Sequence, residues 1–289
     1  MKASILFARF PYGATEDYRG SNWMIETITQ AKMDCRIGEV LHMEENDTPI
    51  TMCRNKVMKR ARDDGIDLVV MLDSDMVPDL PLPGARKFFP VALDFVLGHP
   101  GPSVVGAPYC GPPPHENIYV FQWRKFQSDH PNQDVKLEQY TREEAAIRVG
   151  FEEVAALPTG LVMIDVRCLE HIDPPWFEYE YEDPPYNTKK STTEDVFFTR
   201  NLSLAGVPQY CLWDSWAGHV KKKVVGKPTL LTTDMVREGF REAIVSGRKS
   251  DEKLVDVCKA NGFVPPRVVA APVALVAGEG NGCEGQQVS

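Results

Sequence analysis

Leu68-Val69-Val70-Met71-Leu72-Asp73-Ser74-Asp75 is the stretch on which the fold turns. The run LVVML (68–72) has no polar alternation and is too short for an ordinary helix. That is the pattern of a strand buried on both faces. Such strands belong to parallel sheets covered by helices. The acidic triplet that follows stands where ligands of open α/β sheets collect, at the carboxyl end of a strand.

The alternation extends on both sides of this strand. Residues 3–8 (ASILFA) form a short apolar run ended by Arg9, Pro11 and Gly13, a buried strand entering a loop. A helix is predicted over 21–33 and a second strand over 36–43. Asp47-Thr48-Pro49 predicts a helix start, with a capping side chain and then proline in the first turn. Ile50, Cys53, Val57 and Ala61 recur at helical spacing until Gly65 stops the run. A helix over 84–97 closed by Gly98 and a strand over 103–107 follow. Past residue 108 the pattern changes. YCGPPPHEN (109–117) is a proline-rich loop, IYVFQWRKF (118–126) an antiparallel strand, and VAALPTGLVMIDV (154–166) a strand interrupted by Pro158-Thr159-Gly160. DPPWFEYEYEDPPYNTKK (173–190) reads as a surface loop. A helix over 192–205 ends at Gly206, with Pro208 beyond it. The strand QYCLW (209–213) leads to a turn ending in Gly218-His219. A last helix is expected over 233–246, followed by a frayed tail. The expected organisation is an α/β domain over 1–228 and a C-terminal appendage over 229–289.

Composition narrows the function classes. Of 289 residues, 43% are hydrophobic and 25% charged, which excludes wholesale disorder and collagen-like structure. Lys and Arg number 32 against 41 Asp and Glu, a net charge of -9, so no global basic field draws the chain to nucleic acid or an anionic membrane. No run of about 18 apolar residues is present, and the first residues lack a cleavable-signal pattern. The seven cysteines are widely spaced with no CxxC, the usage of reduced thiols. A soluble, cytoplasmic protein is expected.

Asp73 and Asp75 point the same way in extended geometry and can share one hard divalent cation, which can bridge a diphosphate and offset the charge of its departure. The bland alternative is an acidic turn at a strand end. Ser191 and Glu194 fit the S/T-x-x-E capping box, and acidic side chains suit a first helical turn. A carboxylate there can also take a proton from an attacking hydroxyl, with Glu194 structural and Asp195 functional. His219 is either a surface histidine or a third ligand beside two carboxylates, which would favour Mn²⁺ over Mg²⁺. Arg54-Asn55 either holds a phosphate or base by fork-like hydrogen bonds or is a solvated helix charge. Lys221 to Lys223 read as a solvated run or as a bias toward an anionic substrate. Ser/His/Asp, Walker-type and GxGxxG signatures are absent.

The order of these pieces resembles the GT-A glycosyltransferases, particularly the family-2-like group: a strand ending in DSD, then PTG, then TED opening a helix, then a GH turn. The resemblance covers roughly residues 3–220. It implies a GT-A-type, Rossmann-like and mostly parallel central sheet flanked by helices, with a smaller antiparallel portion. By the same resemblance Asp73, Ser74 and Asp75 are the DxD that binds nucleotide-sugar and metal. Arg54 and Asn55 occupy the group's R-N position, and Gly160 lines the donor sugar through its backbone. Glu194 joins the donor-binding set, Asp195 is the base of an inverting transferase, and His219 is a late metal ligand. The implied cofactor is Mn²⁺ or Mg²⁺ and the implied donor a UDP-sugar. The acceptor is a hydroxyl. A modified DNA base is one candidate, with Trp123-Arg124-Lys125, Lys189-Lys190 and Lys221 to Lys223 as the local basic residues. The chain lacks a QxxRW motif and a membrane span, unlike processive synthases.

Two rival readings use the same residues. Asp73 to Val77 fits the DxDx[TV] box of haloacid-dehalogenase-like phosphatases, whose first aspartate is a nucleophile. That fold places the box on its first strand, whereas two strand–helix units precede it here. A non-catalytic nucleotide-sugar or carbohydrate-binding module on a decayed scaffold is the other, and the full set of polar site residues speaks against decay.

Overall fold

Strand β1 (Ala3–Phe10) leads through helix α1 (Tyr18–Met33) to β2 (Ile37–Glu44), and helix α2 (Ile50–Asp63) leads to β3 (Leu68–Asp73) and the short β4 (Met76–Val77). Helix α3 (Phe88–Gly98) precedes β5 (Val104–Gly106). Then come β6 (Phe121–Lys125), β7 (Val135–Gln139), α4 (Arg142–Ala146), β8 (Phe151–Glu153) and β9 (Leu161–Asp165). After a 3-10 turn (Val166–Glu170) the chain forms β10 (Glu180–Tyr181), β11 (Lys190–Thr192), α5 (Glu194–Leu204), β12 (Gln209–Leu212), β13 (Gly218–Val220) and β14 (Val224–Val225). This computed structural model describes residues 2–11, 17–112, 116–125, 135–220 and 224–225. The expected helix over 233–246, the appendage 229–289 and Lys221 to Lys223 lie outside the described residues.

The central sheet has seven strands in the order β2-β1-β3-β9-β5-β12-β8. β2, β1, β3, β5 and β12 run one way, while β9 and the edge strand β8 run the other. The expected mostly parallel sheet flanked by helices is the architecture found. Its central strands are apolar on both sides because both faces are covered. Val69 and Met71 of β3 belong to one core cluster with Cys53, Val57 and Met58 of α2 and Phe198 and Leu202 of α5. Leu68, Val70 and Leu72 belong to the other, with Trp23 and Met24 of α1 and Phe88, Phe89 and Leu93 of α3.

Strand direction decides what meets at the carboxyl end of β3. β9 is antiparallel to it, with Leu161 opposite Leu72, so the Pro158-Thr159-Gly160 turn ahead of β9 lies against the end of β3. The Asp73 amide donates to the Gly160 carbonyl (2.9 Å). β12 is parallel to its neighbour β5 and therefore delivers residues 213–219 to the same end, where β13 pairs with β4.

Three local expectations are corrected. Helix α2 begins at Ile50 with Pro49 as its N-cap and no side-chain cap. Asp47 lies too far back and instead pairs with Lys56. The capping box at Ser191 does not form. Ser191 lies in β11, Thr193 is the N-cap of α5 without a side-chain hydrogen bond, and the Glu194 carboxylate turns away to a partner described below. The segment 173–190 is also more than a surface loop, because Trp176 and Phe177 are buried in the core. Asn55 holds their backbone. Its side-chain oxygen accepts from the Trp176 and Phe177 amides (3.0 and 3.1 Å) and its nitrogen donates to the Phe177 carbonyl (2.8 Å). Burying a ring such as Phe177 stabilises by about 1.5–3 kcal/mol, enough to fix a segment otherwise rich in proline and charge. No helix among the described residues is long and apolar enough to cross a membrane.

Candidate functional site

Arg54 is the hinge of the site. It projects from the buried face of α2 and is 2% exposed. One guanidinium nitrogen donates to both oxygens of Asp73 (2.9 Å each), and the other donates to Oε1 of Glu194 (2.7 Å). Strand β3, helix α2 and helix α5 are thereby joined by one side chain. The phenyl rings of Phe10 and Phe177 flank the guanidinium at 5.8 and 5.7 Å from their centroids. Arg54 is neither a solvated helix charge nor free to fork around a ligand.

The charges here are unbalanced. Burial pulls the Arg54 guanidinium down, yet Asp73 and Glu194 more than offset it and leave it raised. Asp73 is raised by burial, with Arg54 opposing and with Asp75 and Asp195 adding to the rise. Glu194 is raised by burial too, against Arg54 and with Asp195. One guanidinium divided between two carboxylates, with two further acids nearby, cannot fully compensate any of them.

Asp75 contacts a different side chain. His219 Nε2 lies 3.0 Å from its Oδ2, across 144 residues of sequence. Backbone pairing carries the imidazole there: His219 pairs with Met76, and the Val220 amide donates to the Asp75 carbonyl (2.7 Å). Tyr109 and Tyr119 pack edge-on against the imidazole, at centroid distances of 5.3 and 6.3 Å. The Tyr109 hydroxyl is driven well above the usual phenol range by burial and then by the Asp195 and Asp73 charges, so it remains a proton-bearing donor among carboxylates.

Gly160 makes room for that tyrosine. A Cβ there would stand 2.8 Å from the Tyr109 hydroxyl oxygen and 3.1 Å from the Met76 sulfur. Ser74 is buried, and its carbonyl accepts from the Asp17 amide at the start of α1 (3.1 Å). Asp195 is half-buried in the first turn of α5. Its Oδ1 accepts from the Val196 amide (2.9 Å) and the Thr193 hydroxyl, and among the described residues both hydrogen bonds to this carboxylate fall on Oδ1. Asp73, Asp75, Gly160, Glu194, Asp195, Arg54 and His219 are thus assembled at one end of the sheet. Asn55 borders the group with its amide committed to residues 176–177.

The donor set fits a divalent cation in part. Asp75 and His219 present one carboxylate oxygen and one imidazole nitrogen side by side, while both Asp73 oxygens are engaged by Arg54. No group of three or more His, Cys, Asp or Glu among the described residues is arranged to hold a metal. Two protein ligands suit a cation that takes its remaining oxygens from phosphate and water.

Sequence inspection missed Tyr109, Tyr119 and Tyr179. Tyr109 stands two residues past the strand 103–107, and that position was the available signal. Tyr179, whose hydroxyl is raised to about 12 by burial and then by the Glu194 charge, carried none. Of the basic residues named for a polyanion, Arg124 pairs with Glu138 and Glu144 and Lys189 with Glu182, while Lys221 to Lys223 lie outside the described residues.

No protein-family profile matches the chain, and no curated protein matches it. Among solved structures, A197 from STIV is similar at 17% identity and a TM-score of 0.45, over 80% of this chain and 97% of that one. GalNAc-T7, solved with UDP, GalNAc and Mn²⁺, is similar at 10% identity and a TM-score of 0.37, over 76% of this chain and 44% of that one. A glycosyltransferase involved in the glycosylation of the major capsid of PBCV-1 is similar at 14% identity and a TM-score of 0.29, over 61% of this chain and 69% of that one.

Proposed function

We propose that this chain is a glycosyltransferase that moves a sugar from a nucleoside diphosphate sugar, a UDP-sugar by preference, to a hydroxyl acceptor with inversion. The observation that carries the reading is the contact of Asp75 with His219, 3.0 Å apart at the carboxyl end of the central strand. These two residues would hold Mn²⁺ or Mg²⁺. The cation would supply charge neutralisation for the leaving diphosphate.

The chain's own residues do the rest. Asp73, locked by Arg54, forms a rigid wall beside the donor, and Tyr109 offers a phenolic proton into the same space. Asp195 accepts the proton of the acceptor hydroxyl. The acceptor oxygen then bonds to the anomeric carbon from the side opposite the diphosphate, and the anomeric carbon–oxygen bond to the diphosphate breaks. The phosphatase reading needs Asp73 as a nucleophile. With both carboxylate oxygens accepting from Arg54, Asp73 is ill placed for that task.

Calorimetric titration of UDP and GDP with and without Mn²⁺, followed by a nucleotide-sugar panel scored for sugar release, tests the proposal. Metal-dependent nucleotide binding that is lost in Asp75→Ala and weakened in His219→Ala is expected. Equal affinity after chelation, or phosphate release from a phosphomonoester in place of sugar release, overturns it.

A further inference from the structure

Thr199 lies one turn after Asp195 in α5 and is fully buried. Its hydroxyl accepts from the Leu157 amide (3.1 Å) and meets two acceptors, the Leu157 carbonyl (3.1 Å) and the Asp195 carbonyl (2.7 Å). A hydroxyl has one proton to donate, and the shorter contact gives it to Asp195. A bond from threonine to the carbonyl four residues back is ordinary within a helix. The bond from Leu157, 42 residues away, turns it into a tertiary link.

Both ends of the link lead to the site. Leu157 enters the Pro158-Thr159-Gly160 turn, whose Gly160 carbonyl accepts from the Asp73 amide (2.9 Å). Its side chain is seated on β5, where a Cβ on Gly106 would stand 3.2 Å from a Leu157 methyl. That end is fixed to the sheet. At the other end, Asp195 is oriented from within its own turn, by the Val196 amide and the Thr193 hydroxyl on Oδ1. The carboxylate therefore goes where the turn goes. Gln209, also fully buried, braces the link from β12, its side-chain nitrogen donating to the Thr199 carbonyl and to the Ala155 carbonyl (3.4 Å).

Resting on the reading of Asp195 as the base, we propose that Thr199 is a positioning residue for transfer, whose hydroxyl sets the place of Asp195 relative to the end of β3. Such placement matters, because a shift of about 1 Å at a reacting group can cost on the order of 10²-fold in rate. Asp75 and His219 are placed independently, by the pairing of β13 with β4, so nucleotide and metal affinity should not follow Thr199.

Thr199→Val keeps the shape of the side chain and deletes the hydroxyl, and Thr199→Ser puts it back. The assay is steady-state sugar release from UDP-glucose, UDP-galactose and UDP-N-acetylglucosamine with Mn²⁺, beside calorimetric UDP affinity. Thr199→Val should lower kcat by about 10–100-fold with KM and UDP affinity held within about twofold. Thr199→Ser should recover most of the lost kcat. Val96→Ala, a core truncation in α3, controls for lost stability alone and should leave kcat unchanged. If the valine variant does not fold, Thr199→Cys takes its place: a thiol is a weak partner on a longer bond, and kcat should again fall with UDP affinity kept. Unchanged kcat in the folded variant overturns the proposal, as does parallel loss of kcat and UDP affinity, or a serine variant no better than valine. Sugar release from none of the donors by the unaltered chain overturns the transferase reading and this proposal with it, an outcome distinct from unchanged kcat in the variants.

Discussion

Replacing Arg54 by methionine is the most demanding test of the site's architecture. The side chain is buried and donates to three carboxylate oxygens, so the substitution keeps apolar bulk in place and removes only the charge and its hydrogen bonds. Two carboxylates are then left without a cation, Glu194 with 12% of its side chain exposed and Asp73 with 24%. Breaking a buried ion pair from one side costs about 3–5 kcal/mol. Protonation sets a ceiling on that cost. Neutralising one glutamate of ordinary pKa costs roughly 4.4 kcal/mol at pH 7.5 and 1.6 kcal/mol at pH 5.5. An acid whose folded pKa is raised contributes most below its unfolded pKa, and that contribution is lost as pH rises through the folded pKa. Without Arg54 both acids move further in this direction, so the deficit of the variant must grow from acid to neutral pH.

Urea unfolding followed by tryptophan fluorescence at both pH values provides the assay. At pH 7.5 a loss of about 3–5 kcal/mol is expected, shrinking by half or more at pH 5.5. Glu194→Gln in the Arg54→Met background should recover part of the loss at pH 7.5 by deleting one stranded charge. Arg54→Lys should fall between, since an ammonium cannot fork to two carboxylates. A loss below about 1 kcal/mol, or one that is the same at both pH values, would refute the buried triad.

Asp195→Asn should lower turnover by about 10²–10⁴-fold with UDP affinity unchanged, as read by steady-state kinetics beside calorimetry; normal transfer would remove Asp195 as the base. Gly160→Ala should destabilise by about 1–3 kcal/mol through overpacking against Tyr109. Tyr109→Phe should relieve part of that cost, so strict additivity in the double-mutant cycle would contradict the close approach. Asp79 is held at φ 56° and accepts from the Trp23 indole and the Phe88 amide (both 2.7 Å). Asp79→Ala strands two buried donors and should cost about 1–3 kcal/mol. Asp79→Asn keeps an acceptor and tolerates positive φ, and should cost less; thermal melts that rank the two the other way would refute this role.

What could be read in the sequence and what could not divides along physical lines. LVVML is apolar on both faces because both faces are covered, and a strand so marked announces its own end, which is where DSD stands. The start of α5 was placed within two residues of the observed one. Its capping pattern failed because the Glu194 carboxylate is claimed by Arg54, 140 residues away, and a local pattern carries no information about a tertiary cation. The direction of β9 was equally hidden, since an apolar run reads the same either way. In 173–190 proline and charge dominate the composition and concealed Trp176 and Phe177, whose burial depends on the amide of Asn55 on another element.

The two aspartates of DSD, alike in sequence, serve different ends. Asp73 terminates β3 and is seized from the α2 side, so its charge is spent on holding Arg54, and Arg54 in turn holds Glu194 and the start of α5. Asp75 stands two residues beyond the strand. Its imidazole partner arrives through the backbone pairing of β13 with β4, not through the reach of a long side chain. Substituting Asp73, Arg54 or Glu194 therefore perturbs architecture and chemistry together. Substituting Asp75 or His219 leaves the backbone ladder that positions them intact, so a change in metal or nucleotide affinity there reports on the ligand itself. The Asp75–His219 pair is for this reason the place where the proposed chemistry can be tested apart from the fold.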